Sequence, residues 1–273
     1  MRLASARRAQ RLVLDAVATQ EGDALSVDWT GPIAQPTVAA VVLAGGSGVR
    51  VGGGRNKAYL PLGERTVVGL SLCTMAGARG LRRLILVVRT EDVELAERTI
   101  EAEVPHSSVS VELVRGGESR HASEDRALHH LAPAIDNGSL DLVLVHDAAR
   151  PLCSPRLVAA LVRAAGEHGG AVPGLPADDL VQVDGAGNAV PLIGRYIKVQ
   201  TPQAFAAKQL LAAYRRASEV GFEGTDTSAC IERFSSLRIQ HVPGEEENFK
   251  ITYPHDLYIA NQFVLNRASH LRE

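Results

Sequence analysis

The sequence predicts an α/β fold, with a mostly parallel sheet and helices on both faces. Short apolar runs at residues 37–43, 84–88 and 142–145 have the length and β-branched content of buried strands. Segments with helical spacing separate them, as in right-handed β-α-β units. Ligands of such sheets bind beyond the carboxyl ends of the strands, so the loops after these runs are the first candidates for a site.

The other elements are predicted from periodicity and capping residues. A further strand is predicted at residues 109–114, and helices at residues 66–78, 91–103, 155–165, 206–220, 227–233 and 254–269. The alternating segment 179–183, the turn sequence 184–188 and the run 193–199 predict a hairpin that interrupts the β-α rhythm. We expect it to project from the sheet as an arm at about 175–200, although an ordinary surface flap fits the pattern nearly as well.

Composition excludes several classes of protein. The 273 residues carry a net charge of −2, which gives no electrostatic case for binding nucleic acid or an anionic membrane. The three cysteines are widely spaced without a CxxC pair, so neither a zinc site nor a disulfide framework is indicated, and a cytoplasmic location fits best. No apolar run approaches the roughly 20 residues that cross a bilayer.

Residues 1–35 differ from the rest and are predicted to be an N-terminal extension and linker, leaving residues 36–273 as the folded domain. Four arginines precede the first acidic residue, Asp15. An organelle transit peptide has this character, but a short terminal helix, a disordered leader or a mis-assigned start codon is the favoured interpretation.

The glycine-rich segment after the first strand is the strongest local signal. Gly45, Gly46 and Gly48 allow the backbone to turn sharply and bring its N–H groups against an anion, and Arg50 and Lys57 follow closely. Amides and cations together suit a nucleoside triphosphate. The spacing matches neither the P-loop nor the dinucleotide fingerprint, and a flexible surface loop is the alternative interpretation.

Two more loops follow strands at the same edge of the predicted sheet. Residues 116–120 read GGESR, and residues 146–151 read HDAARP. We expect both to meet the glycine loop in one crevice. Three histidines, His121, His129 and His130, look like a cluster but are expected to face solvent instead of binding metal.

Six motifs in order carry a resemblance to a known family. They read LAGGSGVRVGGGRNKAYL, GGESRHAS, VHDAARP, VQTPQAF, GTDTSA and ENFKIT. Together they resemble the 2-C-methyl-D-erythritol 4-phosphate cytidylyltransferase family, including the related ribitol-5-phosphate cytidylyltransferases. The resemblance covers roughly residues 37–264. It implies a Rossmann-like nucleotidyltransferase fold for residues 36–273.

The resemblance also implies roles for individual residues. The loop that holds CTP matches Ala44, Gly45, Gly46, Ser47 and Gly48. Its two phosphate-binding cations match Arg50 and Lys57, the cytosine and ribose contacts match Gly117 and Ser123, and the metal and phosphate region matches Asp147, Arg150, Thr201 and Lys250. Arg50, Lys57 and Lys250 are the implied catalytic residues, and Asp147 is the implied ligand of Mg²⁺ or another divalent cation.

The implied reaction is in-line attack of an alditol phosphate oxygen on the α-phosphorus of CTP, with pyrophosphate leaving. A phosphate dianion is already a nucleophile, so catalysis is expected to be mainly positioning and electrostatic stabilisation. The resemblance implies a homodimer joined through the arm. No nucleic acid or membrane partner is expected.

The arm departs from the family pattern, which leaves the acceptor open. Where the family has Asp-Thr-x-Lys, this chain has DLVQ at residues 179–182, and Leu192 and Ile193 stand where an arginine is usual, with Arg195 as a nearby substitute. 2-C-methyl-D-erythritol 4-phosphate is the leading acceptor, and another alditol phosphate such as ribitol 5-phosphate is the alternative. A catalytically silent nucleotide-binding protein is the third interpretation.

Overall fold

A computed structural model describes residues 31–33, 35–46, 56–105, 107–191 and 194–270. The main sheet has eight strands, and two short pairs accompany it. The strands, in chain order, are β1 (Val38–Leu43), β2 (Pro61–Leu62), β3 (Arg65–Thr66), β4 (Leu81–Val88), β5 (Val111–Arg115), β6 (Leu142–Asp147), β7 (Gly170–Pro176), β8 (Gln182–Val183), β9 (Ala189–Val190), β10 (Ile197–Val199), β11 (Gln203–Ala206) and β12 (Ile239–Pro243).

Helices connect these strands, and two 3₁₀ turns lie at Lys57–Tyr59 and Thr90–Asp92. The α-helices are α1 (Val67–Ala76), α2 (Val93–Glu103), α3 (Arg120–Asp136), α4 (Pro155–His168), α5 (Ala207–Glu219), α6 (Thr227–Phe234) and α7 (Pro254–His270). Most start at a residue suited to capping. Ser154 accepts a hydrogen bond from the N–H of Leu157 before the N-terminal proline of α4, and Asp226 accepts one from Ala229 at the start of α6.

The sheet is parallel where it carries the site. Strands β6, β1, β4 and β5 lie side by side in parallel, and Leu43 pairs with both Val87 and Asp147 at their carboxyl ends. Beyond β6, strand β11 runs antiparallel and leads to β7, which also pairs with β10 and β12. This mostly parallel sheet with helices around it confirms the predicted fold class.

Side chains of the central strands alternate between two cores, one on each face of the sheet. From β1, Val38 and Val42 enter a core with α1, α2 and α4, whereas Ala39 and Val41 enter a second core with α3, α5 and α6. Residues on both faces of β1 are therefore buried, which explains its continuous apolar run. A smaller third cluster packs α7 against β2 through Leu62 and Ala260, and it fixes the chain around Ile251.

Two details of the predicted strands are wrong. The hairpin forms around the predicted turn, but its returning strand is β9, and residues 197–199 instead pair with β7 in the main sheet. Strands β7, β11 and β12 of the main sheet were not predicted, and in β7 the glycines and prolines obscure the strand pattern. Residues 192 and 193, most of the N-terminal extension and the segment 47–55 lie outside the described residues. Within the part described, every helix is too short or too polar to cross a membrane.

Candidate active site

A cleft of about 610 Å³ opens at the carboxyl ends of the parallel strands. It will be called the large cleft. Its walls include residues 43–46 after β1, residues 116–120 after β5 and residues 147–149 after β6. The predicted convergence of three loops is therefore confirmed over the described residues. Ala44, Gly45 and Gly46 line the cleft, whereas Ser47, Gly48 and Arg50 lie outside the residues that the structure describes.

The turn before α3 requires glycine because the backbone passes very close to the helix. A Cβ atom on Gly117 would lie 2.5 Å from the Cβ atom of Ala122, and one on Gly116 would lie 2.8 Å from the hydroxyl of Ser123. The Ser123 hydroxyl accepts a hydrogen bond from the N–H of Gly117 at 3.1 Å, and Ser119 caps the helix. Gly117 and Ser123 therefore meet on one wall of the large cleft, as expected.

Asn56 connects the glycine loop to the turn that carries Lys57. It is buried, and its Nδ2 donates to the carbonyl oxygen of Ala44 at 2.7 Å and to Oδ2 of Asp92 at 2.8 Å. Its Oδ1 accepts from the N–H of Ala58 and so caps the 3₁₀ turn. Every hydrogen-bonding group of this amide is thus used to hold the cleft wall in place.

Two lysines line the large cleft. Lys57 donates from Nζ to the carbonyl oxygen of Ile251 at 2.7 Å. Lys250 precedes that residue and forms an ion pair of 2.7 Å with Oδ2 of Asp147. The two ammonium groups therefore belong to one site, although the residues are far apart in sequence.

Asp147 lies at the centre of the site and is held by two cations. Its Oδ1 accepts from Nε of Arg120 at 3.1 Å, and its Oδ2 accepts from Lys250. Burial alone would raise the pKa of this carboxyl group, but Arg120 and Lys250 outweigh it and hold the pKa well below its usual range. Asp147 is therefore ionised at neutral pH.

A second cleft of about 280 Å³ lies on the other side of this ion-pair group. It will be called the small cleft. Arg120, Asp147 and Lys250 line both clefts, while Arg150 and Thr201 line only the small one. The predicted residues thus occupy two adjoining clefts with a shared wall.

Arg150 lines the small cleft and is held there by backbone carbonyl oxygens. Its Nη1 donates to the carbonyl oxygen of Asn248 at 2.8 Å and its Nη2 to that of Val199 at 3.5 Å, whereas its buried Nε has no hydrogen-bond partner among the described residues. The positive charge of this guanidinium group would favour an anion in the small cleft.

Behind the shared wall, Thr201 and His146 form a chain of hydrogen bonds. The Thr201 hydroxyl accepts from the N–H of Asp147 at 3.0 Å and lies 3.3 Å from Nδ1 of His146, whose Nε2 lies 3.1 Å from the carbonyl oxygen of Arg150. Burial lowers the pKa of His146 to about 4, so the ring is neutral at pH 7. A proton on Nε2 satisfies all these contacts, with Thr201 donating to Nδ1. Thr201 therefore supports the backbone of Asp147.

Arg195 is exposed and lines neither cleft within this single chain. Its proposed contact with an acceptor stays a prediction.

Arg120 and Glu124 are charged residues of the site to which the sequence assigned no individual role. Arg120 stands inside the GGESRHAS motif and bridges Asp147 and Glu124, and Glu124 is buried in the first turns of α3. Their i, i+4 spacing on a predicted helix was the available signal. The nearby His121 was wrongly expected to face solvent. Its ring is buried and stacks on Tyr214 at a centroid distance of 4.7 Å, because α5 covers that face of α3.

Comparisons with known proteins agree with this geometry. A family model described as IspD, 2-C-methyl-D-erythritol 4-phosphate cytidylyltransferase, matches residues 38–267. Relatives of that name from Cereibacter sphaeroides and Thermobifida fusca are 36% and 37% identical over 230 and 239 residues. Each alignment covers 84% of this chain, with 97% and 94% of the respective relatives.

Solved structures show the same similarity. The crystal structure of 4-diphosphocytidyl-2C-methyl-D-erythritol synthase from Anaerococcus prevotii matches with a TM-score of 0.73 at 26% identity, covering 85% of this chain and 97% of that one. The 2-C-methyl-D-erythritol 4-phosphate cytidylyltransferase from Thermus thermophilus matches with a TM-score of 0.61 at 30% identity, covering 83% and 98%. Sequence, fold and site geometry lead to one conclusion: the chain belongs to the 2-C-methyl-D-erythritol 4-phosphate cytidylyltransferase family.

Proposed function

We propose that this protein transfers a cytidylyl group from CTP to 2-C-methyl-D-erythritol 4-phosphate, giving 4-diphosphocytidyl-2-C-methyl-D-erythritol and pyrophosphate, a step in making isoprenoid precursors. The observation that carries the proposal is the wall of Arg120, Asp147 and Lys250 shared by two clefts. The large cleft, with glycine amides and Lys57, suits a triphosphate. The small cleft, which Arg150 and Lys250 line, suits the phosphate of an acceptor.

This arrangement addresses the main difficulty of the reaction, which is the approach of two anions. The attacking phosphate oxygen and the α-phosphate of CTP repel each other unless positive charge lies close to both. Lys250 stands in the shared wall, next to both clefts, and Lys57 stands on the side of the large cleft. Their positive charges would stabilise the charge that accumulates as pyrophosphate leaves. The acceptor phosphate supplies its own nucleophile, so no general base is needed.

Asp147 is the residue we propose to hold Mg²⁺. Its carboxylate is ionised and lies between the clefts, and Mg²⁺ commonly binds one or two carboxylates together with substrate phosphates. Among the described residues no three His, Cys, Asp or Glu side chains form a cage, so phosphate oxygens would supply much of the remaining coordination. When bound, the cation neutralises negative charge on the triphosphate.

A different alditol phosphate, such as ribitol 5-phosphate, is the second candidate acceptor. The arm supports this second candidate, because Leu180 is an exposed apolar residue at a position where the family usually has a threonine. Homodimerisation through residues 175–200 belongs to the same proposal, since Arg195 lines neither cleft of its own chain. Its exposed position is consistent with a contact in a partner's cleft.

The proposal also places the enzyme in the cytoplasm and assigns it no nucleic-acid partner. The three cysteines are free, as expected in a reducing compartment, and the net charge is slightly negative.

One assay tests the proposed function. Purified protein is incubated with CTP, Mg²⁺ and a panel of alditol phosphates, and pyrophosphate release is measured. Release with 2-C-methyl-D-erythritol 4-phosphate supports the first candidate, and release only with ribitol 5-phosphate supports the second. Silence across the panel, together with CTP binding, would leave a nucleotide-binding protein without turnover.

A further inference from the structure

Within the shared wall, Arg120 lies between two carboxylates. Its Nε contacts Oδ1 of Asp147 at 3.1 Å, and its Nη1 contacts Oε1 of Glu124 at 2.7 Å. A guanidinium group can serve two acids from one rigid plane, which a lysine ammonium cannot do in the same geometry. Its side chain is 25% exposed, whereas that of Glu124 is 1% exposed.

Glu124 is tied firmly to elements outside the cleft. Its Oε2 accepts from the hydroxyl of Tyr214 at 2.6 Å, and its Oε1 also accepts from the hydroxyl of Thr227. Tyr214 and Thr227 are both completely buried, on α5 and α6 respectively. Glu124 thus joins three helices at one point, and every contact it makes there fixes the orientation of its carboxylate.

We propose that Arg120 and Glu124 are positioning residues for the cytidylyl transfer: Glu124 anchors Arg120, and Arg120 holds Oδ1 of Asp147. This inference rests on the proposed function. It separates the roles of the two cations on Asp147. Arg120 is anchored from behind, whereas Lys250, with a side chain that is 39% exposed, can leave Oδ2 and follow a substrate phosphate. Asp147 then keeps its orientation during the reaction.

The decisive variant is Arg120→Met/Glu124→Gln. Arg120→Met alone would leave a buried carboxylate without its cation and could unfold the protein, whereas the double change removes both charges and preserves the shape of the pair. We expect kcat to fall about a hundredfold in the double variant, with the Kd for CTP, measured by calorimetry without acceptor, changed less than about threefold. Thermal melting reports whether the variant is folded.

Glu124→Gln and Arg120→Lys complete the series. Glu124→Gln alone removes the charge and replaces one accepting oxygen by an amide nitrogen that can only donate, which weakens the hold on Arg120, so we expect kcat to fall about tenfold. Arg120→Lys cannot span both acids, so we expect it to recover less than about a tenth of the kcat that is lost when the charge at position 120 is removed. If Arg120→Met folds, adding Glu124→Gln to it should lower kcat by less than about a further twofold, because Glu124 acts through Arg120.

A matched control is available on the surface. Arg215 forms a bidentate pair with Asp136 away from both clefts, so Arg215→Met/Asp136→Asn removes a similar pair and should leave kcat unchanged.

Three results would overturn the inference. The first is a kcat of the folded double variant within about threefold of the wild-type value. The second is an equal loss of kcat from Glu124→Gln whether or not Arg120 is present. The third is a Kd for CTP that rises about tenfold or more in the double variant, which would make Arg120 a direct phosphate ligand. Wild-type pyrophosphate release separates this failure from failure of the proposed function. An inactive wild type would refute the proposed function and this inference with it, whereas an active wild type beside an equally active double variant would refute only this inference.

Discussion

The ammonium group of Lys57 donates a hydrogen bond to the carbonyl oxygen of Ile251 at 2.7 Å, across 194 positions of sequence. This contact joins the turn after the glycine loop to the segment that carries Lys250. It holds one cation at the edge of the large cleft before any triphosphate binds. A preformed position costs no reorganisation during the reaction, which is the property that electrostatic catalysis requires.

Lys57→Ala should therefore lower kcat by on the order of a hundredfold or more, by analogy with the loss of a transition-state donor. The measurement is steady-state pyrophosphate release at saturating CTP and acceptor. Lys208→Ala, at an exposed position of α5, serves as the control and should retain full activity. A rate near that of the wild type would remove Lys57 from the catalytic residues.

Asn56→Ala should affect both stability and activity. It leaves the carbonyl oxygen of Ala44 and the carboxylate of Asp92 without their shared donor, at a cost of about 1–3 kcal/mol in the free energy of unfolding. The glycine loop also loses its link to Lys57, so we expect a higher KM for CTP. Urea unfolding and the pyrophosphate assay measure the two effects.

The exposed Asn137, at the end of α3, offers the comparison: Asn137→Ala should change neither quantity appreciably. Unaltered stability and KM in Asn56→Ala would show that the amide does not organise the cleft.

His146 makes the stability of the protein depend on pH. Its pKa is about 4 in the folded state and about 6.5 when solvated, so the unfolded state binds the proton more readily between these values. The contribution of the neutral His146 ring to the free energy of unfolding is complete above pH 6.5, declines as the pH falls, and is lost below pH 4. At pH 5 the loss is roughly 2 kcal/mol.

Denaturant unfolding at pH 7 and pH 5 checks this expectation. The wild type should lose about 2 kcal/mol more than His146→Gln between the two pH values, because glutamine does not titrate. Identical pH dependence in both proteins would contradict the low pKa of the buried ring.

The arm should mediate association with a second copy of the chain. Leu180, Val181 and Val183 are exposed in an isolated chain, with Val181 65% exposed. Val181→Asp is expected to convert a dimer into monomers in sedimentation velocity, because it would bury a charge in the interface. Val220→Asp, at another exposed valine just beyond α5, should leave the dimer intact. A monomeric wild type would disprove the assembly.

Local patterns predicted the fold and much of the site. Strands β1, β4, β5 and β6 and the loops after β1, β5 and β6 need only strand length and the rule for ligand position in parallel sheets. Those rules selected Gly117 and Asp147, and the family resemblance added Lys250. The rules reach Gly117 and Asp147 because each lies at or beside the end of a strand.

The parts that were missed depend on contacts between distant segments. Arg120 gains its role from Asp147 and Glu124 together, and His121 is covered by Tyr214 and Phe222, which are distant in sequence. The return strand of the arm was misassigned because residues 197–199 find a better partner in β7 than in the hairpin. Such pairings are decided by tertiary packing, which single-sequence periodicity does not contain.

The wall between the clefts belongs to both substrates, and this has a thermodynamic consequence. If a triphosphate draws Lys250 away from Asp147, the free energy of breaking that ion pair reduces the affinity for the first ligand. The second ligand then binds to a site in which the pair is already broken. Thermodynamic linkage is reciprocal, so each substrate raises the affinity for the other by the same factor. The pair of Lys250 and Asp147 would thereby make the binding of donor and acceptor cooperative without any movement of the sheet.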